Sequence, residues 1–196
     1  MNNITDKFID HLFDLSKSKI SSSAILQAKN CLLDYFGVTF AGAMLLKEKG
    51  DLYLDFLDSN SGNAKVIGFE QKTDLYTAAL LNGINSHVVD MDDGVRQGNF
   101  HPGSPVISAL FPLAQLKKLE GIDLLRGIIV GYEASIRLAK AIQPSHRNRG
   151  YHATGTCGVI GVAMGVATML KYSKYEMKNA LSAASTSSSG LLNVIK

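Results

Sequence analysis

Apolar residues recur at three- and four-residue steps along most of this chain, which is the period of an amphipathic helix. Phe8, Ile9, Leu12, Phe13 and Leu15 make the first such face, with Thr5 placed to cap it. After Ser21-Ser22-Ser23 a second helix carries Ile25, Ala28, Leu32 and Phe36, and it is expected to loosen near Gly37 and Gly42. Asp51 to Leu57 reads as a short amphipathic piece ending in the loop Ser59-Asn60-Ser61-Gly62-Asn63. Ala64 to Phe69 is the one good strand candidate. Thr73 to about His87 is helical again, with Leu75, Ala78, Ala79, Leu81 and Ile84 available for burial. A polar loop closed by Pro102 and Pro105 follows, and helix resumes from Val106 to Lys118. Gly121 interrupts it, Asp123 is placed to cap the next helix, and Pro144 stops that helix after about Ile142.

From Ala153 to Leu170 the chain has no charged residue and carries Gly155, Gly158, Gly161 and Gly165. A membrane span and a buried central helix compete for this run. Its length lies at the bottom of the spanning range, its apolar residues are mostly small, and Thr154 and Thr156 interrupt it. Glycines every three or four residues let neighbouring helices approach closely. The buried helix is therefore favoured, and with it an all-α, multi-helix fold with no membrane partner. Ser173 and Glu176 form a capping-box pattern that opens one more helix. Beyond the serine-rich Ser185 to Gly190 the chain stops inside an apolar run, Leu191 to Lys196, and reads as a piece of something longer.

Composition narrows the function. The 46% hydrophobic and 19% charged residues are ordinary for a globular protein, and 196 residues suffice for one domain with a substantial core. A net charge of +3, evenly spread, does not predict nucleic-acid binding but suits an anionic small molecule. Cys31 and Cys157 stand far apart, so neither a disulfide framework nor a four-ligand zinc site is expected. With no secretory pattern at the N-terminus, a reducing cytoplasm is the expected location.

The candidate chemistry lies in two clusters. His87-Val88-Val89-Asp90-Met91-Asp92-Asp93-Gly94 leads to His101-Pro102-Gly103, and Arg149-Gly150-Tyr151-His152-Ala153-Thr154-Gly155 follows downstream. Carboxylates and imidazoles are the side chains best suited to moving protons near neutral pH. Arg96, Arg147 and Arg149 are local candidates for holding substrate carboxylates, each competing with a solvated surface role. Asp92 and Asp93 read as loop-stabilising residues, and His11, His87, His146 and Cys157 as structural ones. Two other readings remain open. His87, Asp90, Asp92 and His101 are donors that divalent ions take, although the acidic run fails the calcium-loop spacing. Alternatively the chain is a non-catalytic helical protein that works as an oligomer or partner-binding fragment.

The ordered series of motifs resembles the MmgE/PrpD family, which includes 2-methylcitrate dehydratase, cis-aconitate decarboxylase and iminodisuccinate epimerase. The resemblance is carried by Leu32-Leu33-Asp34-Tyr35-Phe36-Gly37-Val38, Ala78-Ala79-Leu80-Leu81-Asn82-Gly83, the acidic signature from His87 to Asp93, His101-Pro102-Gly103-Ser104, Gly131-Tyr132-Glu133, and Gly150 to Gly155. It implies a helical domain spanning 1–196, without the smaller lid domain that family members carry, and a homodimer or a partner chain supplying the rest. It also implies lyase chemistry on a small di- or tricarboxylic acid, dehydration or decarboxylation of a methylcitrate- or aconitate-like substrate, with no cofactor and no metal.

By the same resemblance Asp90, His101 and His152 are the catalytic residues, and burial is expected to raise the pKa of Asp90. Two departures stand out. Gly94 occupies a position where the family often has threonine, and the stretch to His101 is expanded by Arg96-Gln97-Gly98-Asn99. The family's lysine beyond the serine-rich segment has no match, since Lys196 is not in that motif. Activity of the isolated 196 residues is therefore expected to be weak or lost.

Overall fold

In the computed structural model, residues 3–56 and 62–192 are described. Among them nine α-helices, one 3-10 turn (Arg96–Gly98) and one two-stranded ribbon account for the regular structure, and the all-α expectation holds. α1 (Ile4–Lys17) starts one residue before Thr5, and its cap is Asn3, whose side chain accepts the Asp6 amide. α2 (Ser22–Leu45) is capped by Ser21 and runs unbroken through both glycines at which loosening was expected. Gly42 has a packing role instead. A Cβ there would lie 1.9 Å from the Asn85 carbonyl oxygen, where α4 (Leu75–His87) passes.

α3 (Lys47–Phe56) covers the short amphipathic piece, and the loop expected around Ser59 to Ser61 lies outside the described residues. The strand expected over 64–69 shortens to β1 (Ala64–Lys65), which pairs antiparallel with β2 (Lys72–Thr73). The apolar residues that suggested a longer strand, Val66 and Ile67, are buried beside α4. Asn82 of α4 holds them there, accepting the Ile67 N–H at 2.8 Å and donating to the Lys65 carbonyl at 3.2 Å.

α5 (Gly103–Lys117) begins three residues earlier than the periodicity indicated and tolerates Pro112 in its interior. α6 (Gly121–Ile142) starts three residues earlier than a cap at Asp123 would place it: Gly121, expected to interrupt, is its first residue, and Asp123 lies in its first turn. α7 (Ser145–Asn148) is a single turn leading into α8 (Ala153–Met169), the uncharged glycine-rich run. α9 (Lys174–Thr186) opens with the Ser173–Glu176 capping box. Lys174–Asp10 and Lys178–Asp6 ion pairs tie α9 to α1.

α6 and α8 form the centre of the fold. One core cluster, including Tyr35, Leu110, Ile128 and Met169, lies where they meet α2 and α5. A second, including Leu12, Val130, Met164 and Met177, lies where they meet α1 and α9. Their contact is glycine on glycine, Gly127 against Gly165 and Gly131 against Gly161. This pairing runs in opposite senses along the two helices, so they lie antiparallel. α8 is thus buried because its neighbours need its small residues. No helix among the described residues is long and apolar enough to cross a membrane.

Candidate functional site

Both sequence clusters reach the same cleft because helix ends deliver them there. α4 ends at His87, and the chain turns at Asp90, which holds a left-handed φ of 51°. It then forms a narrow loop closed by the Val95–Phe100 bridge and returns to His101 at the head of α5. From the other side, α7 delivers Arg147, and His152 precedes the first residue of α8. The His101 amide donates to Thr154 Oγ1 at 3.2 Å, which joins the two clusters directly. A third segment completes the wall. The His152 amide donates to the Gly190 carbonyl at 3.1 Å, and the Leu192 amide to the Gly150 carbonyl at 2.8 Å.

The resulting cleft has a volume of about 1040 Å³, and Asp90, His101 and His152 all line it, together with His87, Arg96 and Arg147. Of the three arginines singled out in the sequence, Arg149 is not part of this wall. Asp90 differs from the expectation in one respect: it is exposed, on the rim of the cleft, because its tight turn projects beyond the end of α4. Two other carboxyls of this loop, Asp92 and Asp93, lie deeper, and Asp93 is held by the helices behind it. It accepts the Gly103 N–H at 2.9 Å and the Tyr132 hydroxyl at 2.8 Å, and burial raises its pKa. Asp93 therefore fastens the loop to the N-terminus of α5, where a negative charge is favoured, and to α6. Gly103 is required for this, since a Cβ would meet Asp93 Oδ1 at 2.7 Å and the Tyr132 hydroxyl at 3.1 Å.

Asp92, read from the sequence as a loop stabiliser like Asp93, has a different environment. Its side chain is 3% exposed, and both carboxylate oxygens lie 2.9 Å from His87 Nδ1. Oδ1 also lies 3.3 Å from His101 Nδ1, inside ion-pair range but off the line of a good hydrogen bond. The His87 and His101 rings meet edge to face with centroids 4.9 Å apart. His87 thus joins the site, although its position at the end of an apolar helix gave no sequence signal beyond its closeness to the acidic run. Among the described residues, His87, Asp92 and His101 also bring one ligand atom each within 4.8 Å of one another, the donor types a divalent cation takes. Asp90 is outside that group.

The imidazoles are biased in opposite directions. Hydrogen bonding to Asp92, opposed by partial burial and helped by the charges of Asp92 and Asp90, raises the His87 pKa. Burial first, then the positive charge of His87, His101 and Arg147, lowers that of His152. One face of the cleft therefore favours the protonated form of His87 and the other the neutral form of His152, the separation that acid–base chemistry uses. The remaining histidines lie elsewhere. His11 pairs with Glu133 at 2.8 Å, and His146 bonds Thr156 Oγ1 at 2.8 Å and stacks on Tyr151. Cys157 is buried, and burial raises its thiol pKa, which suits a structural thiol.

Comparison with known proteins identifies relatives of this chain. The cis-aconitate decarboxylase of Aspergillus terreus is 26% identical over 196 residues, covering 97% of this chain and 40% of that protein. The one from A. terreus strain NIH 2624 / FGSC A1156 is 27% identical over 186 residues, covering 92% and 38%. The cis-aconitate decarboxylase-like protein oryM of Aspergillus oryzae is 26% identical, covering 97% and 41%. The chain thus spans about two-fifths of the length of the curated relatives it matches. Residues 6–196 match the domain described as the MmgE/PrpD N-terminal domain, and the chain belongs to that family.

Proposed function

We propose that this domain carries the proton-transfer wall of a lyase acting on a small di- or tricarboxylic acid, by dehydration or decarboxylation of a methylcitrate- or aconitate-like substrate. One observation carries the reading: Asp90, His101 and His152 share a single cleft with Arg96 and Arg147. Loss of a proton or of carbon dioxide next to a carboxylate leaves an electron pair on carbon, delocalised into that carboxylate. Positive groups must hold the carboxylate as the charge grows. Arg96, Arg147 and, in its protonated form, His87 offer that charge. In a dehydration His152, whose surroundings favour the neutral form, accepts the proton from carbon. A protonated His101 gives one to the departing hydroxyl, which leaves as water. In a decarboxylation the carbon that has lost carbon dioxide takes its proton from a protonated imidazole of the pair. His101 is the second proton carrier, and Asp90 on the rim orients the substrate or an imidazole. Such acid–base assistance supplies about a hundred- to ten-thousandfold in rate. No cofactor enters these steps.

Deuterium exchange tests the reading at a lower threshold than full turnover. The protein is incubated in D2O with citrate-, methylcitrate- and aconitate-type acids and followed by proton NMR. Slow exchange at carbon next to a carboxylate is expected, abolished in His101→Ala and His152→Ala with helical content kept. Exchange retained in both variants, or absent with every acid, contradicts the proposal.

A specific observation also supports association with a second copy. Leu26, Leu33, Phe40 and Met44 of α2 are 60%, 73%, 53% and 81% exposed, and their spacing of seven, seven and four residues puts them on one stripe. Soluble proteins seldom leave such a stripe uncovered. A dimer by light scattering, dissociated by Leu33→Glu, is expected; a monomer at all concentrations opposes this part of the reading. The free thiols Cys31 and Cys157 suit the reducing cytoplasm expected from the sequence.

A further inference from the structure

His101 is fixed at two points. Its backbone N–H is bonded to Thr154 at the start of α8, and its ring rests against a carboxylate that the acid–base trio does not include. That carboxylate, Asp92, is almost wholly buried, whereas the two imidazoles it touches are 36% and 32% exposed. The exposed part of His101 is not Nδ1, which is buried and has no hydrogen-bond partner of good geometry. The ring edge open to the cleft is therefore the one carrying Nε2.

We propose that Asp92 is a positioning residue whose single carboxylate gathers the Nδ1 edges of His87 and His101, so that the Nε2 of His101 exchanges protons in the cleft. An ionised carboxylate only accepts hydrogen bonds, so any nitrogen bonded to it must carry the hydrogen. For His87 the bond is formed, with both oxygens at 2.9 Å from Nδ1. For His101 the same Oδ1 is at 3.3 Å, and in the proposal the Nδ1–H is directed at that oxygen. The neutral tautomer of His101 then has its proton on Nδ1 and a bare, cleft-facing Nε2, the orienting role that a carboxylate plays beside a catalytic imidazole. His87 contributes by straddling both oxygens, which stops the Asp92 carboxylate from rotating away from His101. The backbone makes the arrangement possible. The turn at Asp90 brings Asp92 back under the end of α4, and the Val95–Phe100 bridge returns the chain so that His101 reaches the same oxygen.

The inference rests on the cleft reading above, since positioning His101 matters only if its Nε2 does chemistry. The test does not depend on turnover. The 196-residue protein, labelled with 15N at histidine, is examined by long-range proton–nitrogen correlation before and after addition of EDTA. Wild type is expected to place the neutral His101 proton on Nδ1. Asp92→Ala is expected to shift it towards Nε2, the tautomer favoured by free histidine. Asp92→Asn, which keeps the shape and one acceptor oxygen, is expected to fall between. Three results overturn the proposal: a wild-type proton on Nε2, a tautomer balance unchanged in Asp92→Ala, or wild-type Nδ1 signals of a metal-bound nitrogen that revert when EDTA is added. The wild-type spectrum decides the issue even if a variant fails to fold. A confirmed Nδ1–H tautomer with no deuterium exchange in any acid would leave the positioning intact and sink only the lyase reading.

Discussion

Gly131 and Gly161 face each other so closely that a Cβ on either would stand 2.8 Å from the other's carbonyl oxygen. This crossing holds α6 against α8, whose N-terminal end carries His152 at the cap and Thr154 in the first turn, so helix spacing at the core sets the cleft wall. Gly161→Ala is expected to force the helices apart at a cost of about 1–3 kcal/mol, the range for overpacking a close contact. Gly37 is the internal control. Nothing lies within 4 Å of a Cβ there, in the middle of α2, and Gly37→Ala is expected to stabilise by about 0.5–1 kcal/mol. Urea unfolding of the two variants measures both signs.

The histidine shifts give a pH dependence whose sign differs between residues. For His87 the folded-state pKa is raised, so the folded state binds more protons than the unfolded chain above about pH 6.5. Its contribution to stability is full below that pH and is lost as pH climbs through the raised value. For His152 the folded-state pKa is lowered, so the unfolded chain binds more protons just below about pH 6.5, and stability falls as the pH drops through that window. Together the two contributions peak near pH 6.5. Titration of the imidazole Cε1 protons should find His87 above and His152 below the free-histidine value. In Asp92→Asn the His87 value should fall. The reverse order of the two histidines would contradict the site electrostatics.

Gly94 offers a gain-of-interaction test. A Cβ at this position would meet His101 Cε1 at 3.7 Å and Nδ1 at 3.9 Å, ordinary contact distances. Threonine therefore fits beside the imidazole and supplies a hydroxyl facing the cleft. Gly94→Thr is expected to leave stability within about 0.5 kcal/mol and to tighten carboxylate binding about tenfold, the yield of one hydrogen bond to a charged group. Calorimetric titration with a tricarboxylate reads the second effect, and an unchanged affinity would mean that the substrate does not approach this side of His101.

Much of this was legible in the sequence because helices announce themselves by period. The glycine-rich run from Ala153 was identified as a buried helix from its missing charges and small residues, and the Ser173 capping box formed as its residues predict. The strand over 64–69 was overestimated because burial, not pairing, accounts for Val66 and Ile67: Asn82, fifteen residues beyond Ile67, satisfies the backbone there. The same kind of long-range relationship hid the different fates of Asp92 and Asp93. Adjacent acids in a polar loop look alike in one dimension. Only the fold turns one towards Gly103 and Tyr132 and the other towards two imidazoles. His87 was obscured for a related reason, since a histidine closing an apolar helix also suits the C-terminal end of a helix dipole.

The central claim is that His87, His101 and His152 line the site that receives a carboxylic acid. The most direct measurement is a titration of the 15N-histidine-labelled protein with cis-aconitate, following all five imidazoles at once. The account predicts saturable shifts of His87, His101 and His152, with His11 and His146 unmoved. Shifts spread evenly over all five, or no movement of the three cleft histidines at saturating acid, would contradict it.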